Sequence, residues 1–240
     1  MPLYSTACPL PVNRKMFRHK ASSSPAFSPE DIAGLSLWLK PDVGGGLDSV
    51  DTLVTEWTDQ SSYSNNFLQD LDYPVYVESD VINGYDAVLF DGGRLNGSND
   101  IVTAKTIYAV VRTFNFLEAY AAILECTGGS LYSAIADNEW GSYFNGAYSS
   151  TDSLAPNTSA IIATLSDDGE NYEFRRDGSS ILITDNGNGF YPRSASYLGN
   201  DGGTGQPANV YISEIVVYNN VPSQANIALL ENYLLTKYDI

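Results

Sequence analysis

Histidine and cysteine, the side chains that most often serve as general base, nucleophile or zinc ligand, are scarce in this chain. The sole histidine is His19, between Arg18 and Lys20, and the two cysteines are Cys8 and Cys126. A Ser/His/Asp or Cys/His arrangement needs an imidazole that a folded core orients, and a structural zinc site needs four nitrogen or sulfur ligands. The sequence also lacks phosphate-loop and dinucleotide-binding signatures. We expect two free thiols and none of these chemistries.

Carboxylates are plentiful, but their spacing does not suit glycoside hydrolysis. That reaction needs two carboxylates flanking the bond, about 5–5.5 Å apart in retaining enzymes. Glu214 stands alone in an apolar segment, and the pair in Asp137-Asn138-Glu139 has the spacing of a turn. We therefore expect a protein that is not an enzyme and that needs no cofactor.

A calcium site is the one metal site that the carboxylates could form, because Ca²⁺ binds in loops through carboxylate and carbonyl oxygens. The aspartates expected in loops or at strand ends are Asp48, Asp51, Asp59, Asp91, Asp167 and Asp168. No EF-hand spacing occurs among them. Asp59 follows a strand and is expected to cap a turn, and Asp91-Gly92 is expected to form a tight turn. We assign no metal ligand set.

Aromatic residues could form a platform for a sugar. Those that fall near Gly- and Asn-rich loops are Trp140, Tyr143, Tyr148 and Tyr191, and they are the candidate glycan-binding residues. Trp38 and Trp57 lie within strand patterns and are expected in the core. The chain has 17 Tyr, and tyrosine is equally enriched at protein–protein interfaces, so the aromatic content does not choose between these two roles.

The pattern along residues 31–240 predicts many short strands and one helix. Apolar, β-branched runs bounded by Gly, Pro, Asn and Asp are typical of strands. The predicted strands are 35–39, 54–57, 85–90, 106–113, 121–125, 131–136, 142–144, 160–165, 172–176, 180–184 and 210–218. Asp177-Gly178 predicts a hairpin turn. Pro222-Ser223 predicts a helix start, and apolar residues then recur at helical spacing to residue 238. We predict a single all-β domain, a two-sheet jelly-roll sandwich with one C-terminal helix.

Residues 1–30, the arm, differ from this body in composition. They contain five prolines and no apolar periodicity, which favours an extended path. Since fixing such a segment costs about 1–2 kcal/mol per residue in backbone entropy, we expect a partner surface to order it. The expected anchoring residues are Leu3, Tyr4, Leu10, Val12, Arg14, Lys15, Met16, Phe17, Arg18 and Lys20.

Charge is distributed unevenly between the arm and the body. The whole chain has 12 Lys and Arg against 29 Asp and Glu, a net charge of −17, yet residues 1–29 contain four of the basic residues and no acid. Because the body is strongly acidic, it repels phosphate backbones, which argues against nucleic-acid binding. No apolar run is long enough to cross a bilayer, and the N-terminus does not have the pattern of a secretory signal. We expect a soluble product without an export route.

Five short motifs occur in a fixed order through the body: WTDQS at 57–61, NGYDAVLFDG at 83–92, TIYAVVR at 106–112, ISEIVVY at 212–218 and YLLTKY at 233–238. Together with Trp38-Leu39, this set resembles the concanavalin A-like lectin/glucanase superfamily, in particular its laminin-G-like jelly rolls. The resemblance covers about six-sevenths of the chain and leaves out the arm. It implies the sandwich fold and a binding or structural role. The Glu-x-Asp-x-x-Glu string of the hydrolytic relatives is absent.

Similar domains occur in bacterial surface proteins and in bacteriophage virion proteins. From the resemblance, the missing export signal and the arm, we expect a non-enzymatic structural protein of a bacteriophage virion, in the capsid or the tail. The arm would bind other virion proteins, and a homo-oligomer, by analogy a trimer, is expected. The alternative hypothesis is a carbohydrate-binding module that recognises a host or cell-surface glycan.

Overall fold

The computed structural model describes residues 27–42, 44, 47, 52–98, 103–113, 121–127, 129–134, 139–144, 147–153, 157–166, 171–185, 195–200 and 208–240. The structural statements below concern these residues. For the strands between residues 129 and 153, they concern the backbone pairing alone.

The described part of the chain folds into strands and one α-helix. A 3-10 turn at Pro29–Asp31 precedes the first strand. The strands are β1 (Leu35–Leu39), β2 (Glu56–Trp57), β3 (Phe67–Gln69), β4 (Tyr76–Ile82), β5 (Tyr85–Asp91), β6 (Leu95–Gly97), β7 (Thr106–Thr113), β8 (Ala121–Cys126), β9 (Gly129–Ala134), β10 (Glu139–Phe144), β11 (Ala147–Ser153), β12 (Ser159–Ser166), β13 (Asn171–Arg176), β14 (Ser179–Asp185), β15 (Tyr197–Leu198) and β16 (Asn209–Tyr218). The helix is α1 (Gln224–Tyr238).

Two antiparallel sheets contain these strands. Sheet A has the order β14-β13-β12-β7-β16-β5-β4, and sheet B has the order β11-β10-β9-β8-β15-β6-β3-β2. The long strand β16 pairs with β7 along one side. Along its other side it pairs first with β5 and then with β1. The predicted two-sheet jelly-roll sandwich with a C-terminal helix is confirmed.

The main core lies between the sheets. It contains large side chains from sheet B, such as Trp57 and Phe67, against Phe90, Ile107 and Val217 from sheet A. Because successive residues of a strand point to opposite faces, the strands of sheet A that are apolar on both faces can bury both. The apolar runs of β7 and β12, buried almost throughout, therefore lie in the middle of the sheet.

A second core lies between the outer face of sheet A and α1. The helix buries Ile227, Leu230, Leu234 and Tyr238 there, which are the residues whose helical spacing predicts this face. Ser223 caps the helix start by accepting a hydrogen bond from the Asn226 amide (3.3 Å). Among the described residues, no helix combines the length and apolar composition that crossing a bilayer requires.

Two hairpins of sheet A use type I′ turns, in which both central residues have positive φ. The predicted hairpin at Asp177-Gly178 joins β13 to β14, with φ of 47° and 78°. Asn83-Gly84 joins β4 to β5 in the same way, with φ of 50° and 91°. The sequence interpretation above does not include β4, and it also omits β3, β6, β11 and β15. Three of these, β3, β6 and β15, are only two or three residues long, too short for an alternating pattern to appear.

The arm and the candidate glycan-binding residues are described only in part. Residues 1–26, which contain every predicted anchor of the arm and also His19 and Cys8, lie outside the described residues. Phe27 packs edge-on against Tyr233 (6.0 Å between ring centroids), and the Pro29 carbonyl accepts a hydrogen bond from the Tyr218 hydroxyl (3.0 Å). The division into an arm and a body stays a prediction.

Candidate functional site

The Trp-Thr-Asp-Gln-Ser motif has a structural role, which its sequence setting predicts. The Asp59 carboxylate accepts hydrogen bonds from the backbone amides of Trp38, Ser61 and Asn65 (2.8 Å each) and from the Ser61 hydroxyl (2.6 Å). Four donors fill the acceptor positions of one carboxylate. Asp59 therefore holds the loop after β2 against β1, and its side chain is committed to the fold.

Glu214 lies fully buried beneath α1, although its strand is apolar. A β-bulge between Ile212 and Glu214 shifts the register of β16 against β7 and places this side chain on the helix side of sheet A. There the carboxylate accepts hydrogen bonds from Trp38 Nε1 (2.6 Å), the Tyr233 hydroxyl (3.3 Å), the Tyr238 hydroxyl (2.8 Å) and Lys237 Nζ (2.7 Å). Burial, together with the nearby Glu214 charge, raises the pKa of Tyr233 and of Tyr238.

A second buried carboxylate, Glu231, belongs to α1 itself and is paired with residues of sheet A. Arg175 donates to both of its oxygens (2.6 and 3.0 Å), and the Tyr108 hydroxyl donates to one of them (3.1 Å). The hydrogen bonds to Glu231 raise the pKa of Arg175, and burial raises the pKa of Tyr108. The two clusters fasten α1 to sheet A, and neither presents a carboxylate to solvent for catalysis.

Within the part of the chain that the structure describes, a surface with the side chains of a binding site lies where the chain crosses between the sheets. Residues 70–75 lead from β3 in sheet B to β4 in sheet A, and residues 92–94 lead back from β5 to β6. The two crossings lie side by side, because the Arg94 amide donates to the Tyr73 carbonyl (2.9 Å) and the Asp70 amide donates to the Arg94 carbonyl (3.4 Å). We call this region the rim.

A charge pair fastens the rim. The Arg94 guanidinium donates twice to Asp70, with Nε 2.9 Å from Oδ2 and Nη2 also bonded to that oxygen. Asn96 donates to the same oxygen (3.2 Å), and the Asp72 amide donates to the other (3.1 Å). Burial alone would raise the pKa of Asp70, but these hydrogen bonds and the Arg94 charge hold it below its ordinary value.

Aromatic rings flank the same guanidinium. The central carbon of Arg94 lies 4.8 Å from the ring centroid of Tyr73 and 5.4 Å from that of Tyr197. Cations at such distances attract the faces of aromatic rings. Arg94 therefore positions one tyrosine of the crossing, Tyr73, and one of sheet B, Tyr197, and all three residues are partly buried.

Beside this pair lies a cleft of about 380 Å³. Its lining residues are Asp72, Tyr73, Pro74, Tyr76, Leu89, Asp91, Gly92 and Gly93. Tyr76 is 44% exposed, and the side chains of Asp72 and Asp91 are exposed as well. The cleft thus combines two tyrosine rings, two carboxylates and a glycine pair.

The glycine pair allows the two crossings to approach closely and leaves space in the cleft. A Cβ on Gly93 would lie 2.3 Å from Val75 Cγ1 and 2.5 Å from the Pro74 carbonyl oxygen, so the two crossings can approach this closely only with glycine here. Gly92 has a φ of +78°, and a Cβ built there would meet no atom within 4 Å. Open space therefore lies above Gly92.

The cleft opens onto the outer face of sheet A. Tyr76, Leu89 and Tyr211 are register partners on β4, β5 and β16, so they form one row across three neighbouring strands. Leu89 and Tyr211 are half-buried. Burial and a hydrogen bond with Glu78 raise the pKa of Tyr211. The row extends the aromatic and apolar surface beyond the cleft.

The predicted glycan-binding residues lie elsewhere in the fold or outside the described residues. Trp140 and Tyr143 belong to β10 and Tyr148 to β11, and Tyr143 and Tyr148 are register partners. Tyr191 lies outside the described residues. Their role stays a prediction. Trp38 and Trp57 are buried, as the strand pattern predicts.

Of the rim residues, the sequence interpretation considered only Asp91. The others were missed because they come from two segments without a recognisable motif. The only local signal was the Tyr73-Pro74 and Gly92-Gly93 turn chemistry at the ends of strands. Within the described ranges, no group of three or more His, Cys, Asp or Glu side chains is placed to hold a metal ion. Of the aspartates considered for calcium, Asp48, Asp51, Asp167 and Asp168 lie outside those ranges. Calcium binding thus stays an untested expectation.

No protein-family model matches the sequence, and no curated protein matches it. Solved structures do match the fold. The binding domain of Paraclostridial Mosquitocidal Protein 1 aligns with a TM-score of 0.61 and 11% identity over 87% of this chain and 53% of that one. Domain 4 of AbnA, a GH43 extracellular arabinanase from Geobacillus stearothermophilus, in complex with arabinotriose, aligns with a TM-score of 0.59 and 11% identity over 83% of this chain and 99% of that domain.

Trypanosoma rangeli sialidase in complex with sialic acid aligns with a TM-score of 0.57 and 15% identity over 85% of this chain. The chain spans 33% of the length of that sialidase. At these identities the matches show a shared sandwich fold. The narrower resemblance to laminin-G-like domains stays a prediction.

Proposed function

We propose that this chain is a non-enzymatic carbohydrate-binding module, which the sequence interpretation above gives as its alternative, and that the rim cleft is its binding site. The observation that carries the proposal is the combination of side chains in the cleft. Tyr73 and Tyr76 line the cleft and would provide aromatic surface for a sugar ring, and Asp72 and Asp91 would provide acceptors for its hydroxyl groups. Binding sites for small ligands typically join apolar contact area with a few placed polar groups.

The similarity to solved structures supports this class of function. One of the matched domains holds arabinotriose, and another is a toxin's binding domain. A shared fold does not assign a ligand by itself, so the proposal depends on the cleft.

The setting of the carboxylates supports binding without hydrolysis. A glycosidase needs a general acid whose pKa is raised, usually by burial. Asp72 and Asp91 are exposed, and Glu214 and Glu231 are occupied by donors beneath α1. The described residues therefore offer acceptors for a sugar but no buried general acid in the cleft.

The test is a calorimetric titration of the full chain with a panel of neutral oligosaccharides that includes arabinotriose. Tyr76→Ala should weaken the binding of any ligand found by about fivefold or more, since one stacked ring contributes on the order of 1 kcal/mol. Tyr63→Ala is the matched control, because Tyr63 is also exposed (53%) but does not line the cleft. Equal losses in both variants, or unchanged affinity in Tyr76→Ala, would contradict the assignment, and the appearance of cleaved products would contradict the absence of catalysis.

Attachment to a bacteriophage virion through the arm is a separate proposal. Its support is the composition of the arm, whose residues 1–26 include all the predicted anchors. Deleting residues 1–26 should abolish assembly with virion partners and leave sugar binding intact. Normal assembly of the truncated chain would contradict it.

A further inference from the structure

We infer that the rim cleft selects uncharged sugars and rejects acidic ones such as sialic and uronic acids. This inference rests on the proposed carbohydrate-binding function and adds the class of ligand. It is argued from the charges around the cleft, which are a compensated cation beside it and two exposed carboxylates that line it.

Arg94 lies next to the cleft, over the ring of the lining residue Tyr73, but Asp70 already compensates its charge. The Arg94 guanidinium donates two hydrogen bonds to Asp70, and it lies over the rings of Tyr73 and Tyr197. A guanidinium that recognises a sugar carboxylate does so through the same paired N–H groups. Asp70 occupies the Nε and Nη2 edge of the Arg94 guanidinium and compensates its charge, which makes Arg94 a weak receptor for an acidic sugar.

The exposed edge of the cleft is acidic. Asp72 lies at the start of one crossing and Asp91 at the end of β5, so that one exposed carboxylate stands on each of the two segments that form the cleft. The described residues that line the cleft include no lysine or arginine. Arg112, which follows Tyr211 in the cross-strand row, directs Nη1 to the Val81 carbonyl (2.6 Å).

Two effects then favour an uncharged ligand. The Asp72 and Asp91 carboxylates can accept hydrogen bonds from sugar hydroxyls, and hydrogen bonds to an ionised acceptor are stronger than neutral ones. A ligand carboxylate instead repels each of them. At about 4 Å in water, one such repulsion weakens binding about fivefold, and the net charge of −17 adds a longer-ranged repulsion at low salt.

The experiment uses the full chain and pairs of oligosaccharides that differ only in the charge of a carboxylate, alongside arabinotriose. The pairs are the methyl ester of sialyllactose with sialyllactose, and a fully methyl-esterified galacturonic acid trimer with its free acid form. We expect the neutral member of a pair to bind about tenfold or more tightly than the acidic member at low salt. Asp72→Asn combined with Asp91→Asn should reduce this ratio to about two, whereas Glu30→Gln, which changes an exposed carboxylate outside the cleft, should leave it unchanged.

The outcomes separate this inference from the proposed function. An acidic sugar that binds as tightly as its neutral partner overturns the selectivity while leaving sugar binding in place. A ratio that the double Asn variant does not change overturns the role of Asp72 and Asp91. If neither member of any pair nor arabinotriose binds, the proposed function fails and the inference fails with it.

Discussion

The Asp70 carboxylate and the Arg94 guanidinium join the two chain segments that cross between the sheets. Asp70 follows β3 and Arg94 precedes β6, and their paired hydrogen bonds lie next to the Tyr73 ring. The side chains of both residues are largely buried, with 12% and 14% exposed. One ion pair therefore sets the positions of the rings and backbone that shape the cleft.

Removing this pair should destabilise the fold. Arg94→Ala leaves the Asp70 carboxylate without its main donor, so we expect the free energy of unfolding to fall by about 2–3 kcal/mol. Arg94→Lys should recover only part of it, because an ammonium lacks the paired donors of the guanidinium. Urea unfolding measures both. Arg176→Ala is the control, since its pair with Asp177 is longer (3.8 Å) and more exposed. If Arg94→Ala costs no more than this control, the pair does not hold the rim.

The Glu214 cluster should be as sensitive. Glu214→Gln keeps the size of the side chain but removes the charge that compensates Lys237. It also replaces one of the two acceptor oxygens by an amide nitrogen, so that one of the two tyrosine hydroxyls loses its acceptor. Breaking a buried pair by changing one partner costs about 3–5 kcal/mol, and since Lys237 remains partly exposed we expect the lower end of this range. Glu30→Gln alters an exposed carboxylate, so its free energy of unfolding should stay within about 0.5 kcal/mol of the wild-type value. A comparable value for Glu214→Gln would show that α1 does not depend on this carboxylate.

Alkaline pH should unfold the protein through its buried tyrosines. The pKa values of Tyr108, Tyr218, Tyr233 and Tyr238 are raised, first by burial and then by nearby carboxylates. In the unfolded chain these phenols lose their protons near pH 10, whereas the native state retains them. Stability is therefore intact below about pH 10 and falls as the pH rises above it.

Phenolate absorbance and urea midpoints measured over the same pH range check this prediction. The four buried phenols should lose their protons only as the protein unfolds. Titration of all 17 tyrosines in one step near pH 10, with the fold intact, would contradict it.

The two cleft glycines should respond differently to alanine. Gly93→Ala places a Cβ against Val75 and the Pro74 carbonyl, so it should destabilise the fold by several kcal/mol and reduce sugar binding. Gly92→Ala meets no neighbour and bears only the strain of a positive φ, about 1 kcal/mol. Urea unfolding and titration with the same oligosaccharide compare the two. Equal effects would mean that the close approach of the two crossings does not shape the cleft.

The sequence predicts the elements whose local pattern is long enough to read. The run of β7, the Asp177-Gly178 turn and the spacing of Ile227, Leu230 and Leu234 each specify one element, and the structure contains all three. The strand β4 is missed because its polar stretch Glu78-Ser79-Asp80 interrupts the alternation. Asn83-Gly84 nevertheless signals a type I′ hairpin, and such a turn requires a strand before it.

The sites are less predictable, because their members meet only through the fold. Asp59 caps a loop within its own motif and is found from the sequence. Glu214, by contrast, faces α1 because of a bulge in β16, and a shift of one residue changes the face to which a side chain points. Asp70 and Arg94 lie 24 residues apart and pair only because two crossings between the sheets lie side by side.

The decisive measurement is a titration of the full chain with neutral oligosaccharides. It compares the affinities of the wild type, Tyr76→Ala and Tyr63→Ala. We predict saturable binding of at least one such sugar, an affinity about fivefold or more lower in Tyr76→Ala, and no change in Tyr63→Ala. Binding that Tyr76→Ala leaves untouched, or no binding by the folded wild type across the panel, would contradict the proposed role of the rim cleft.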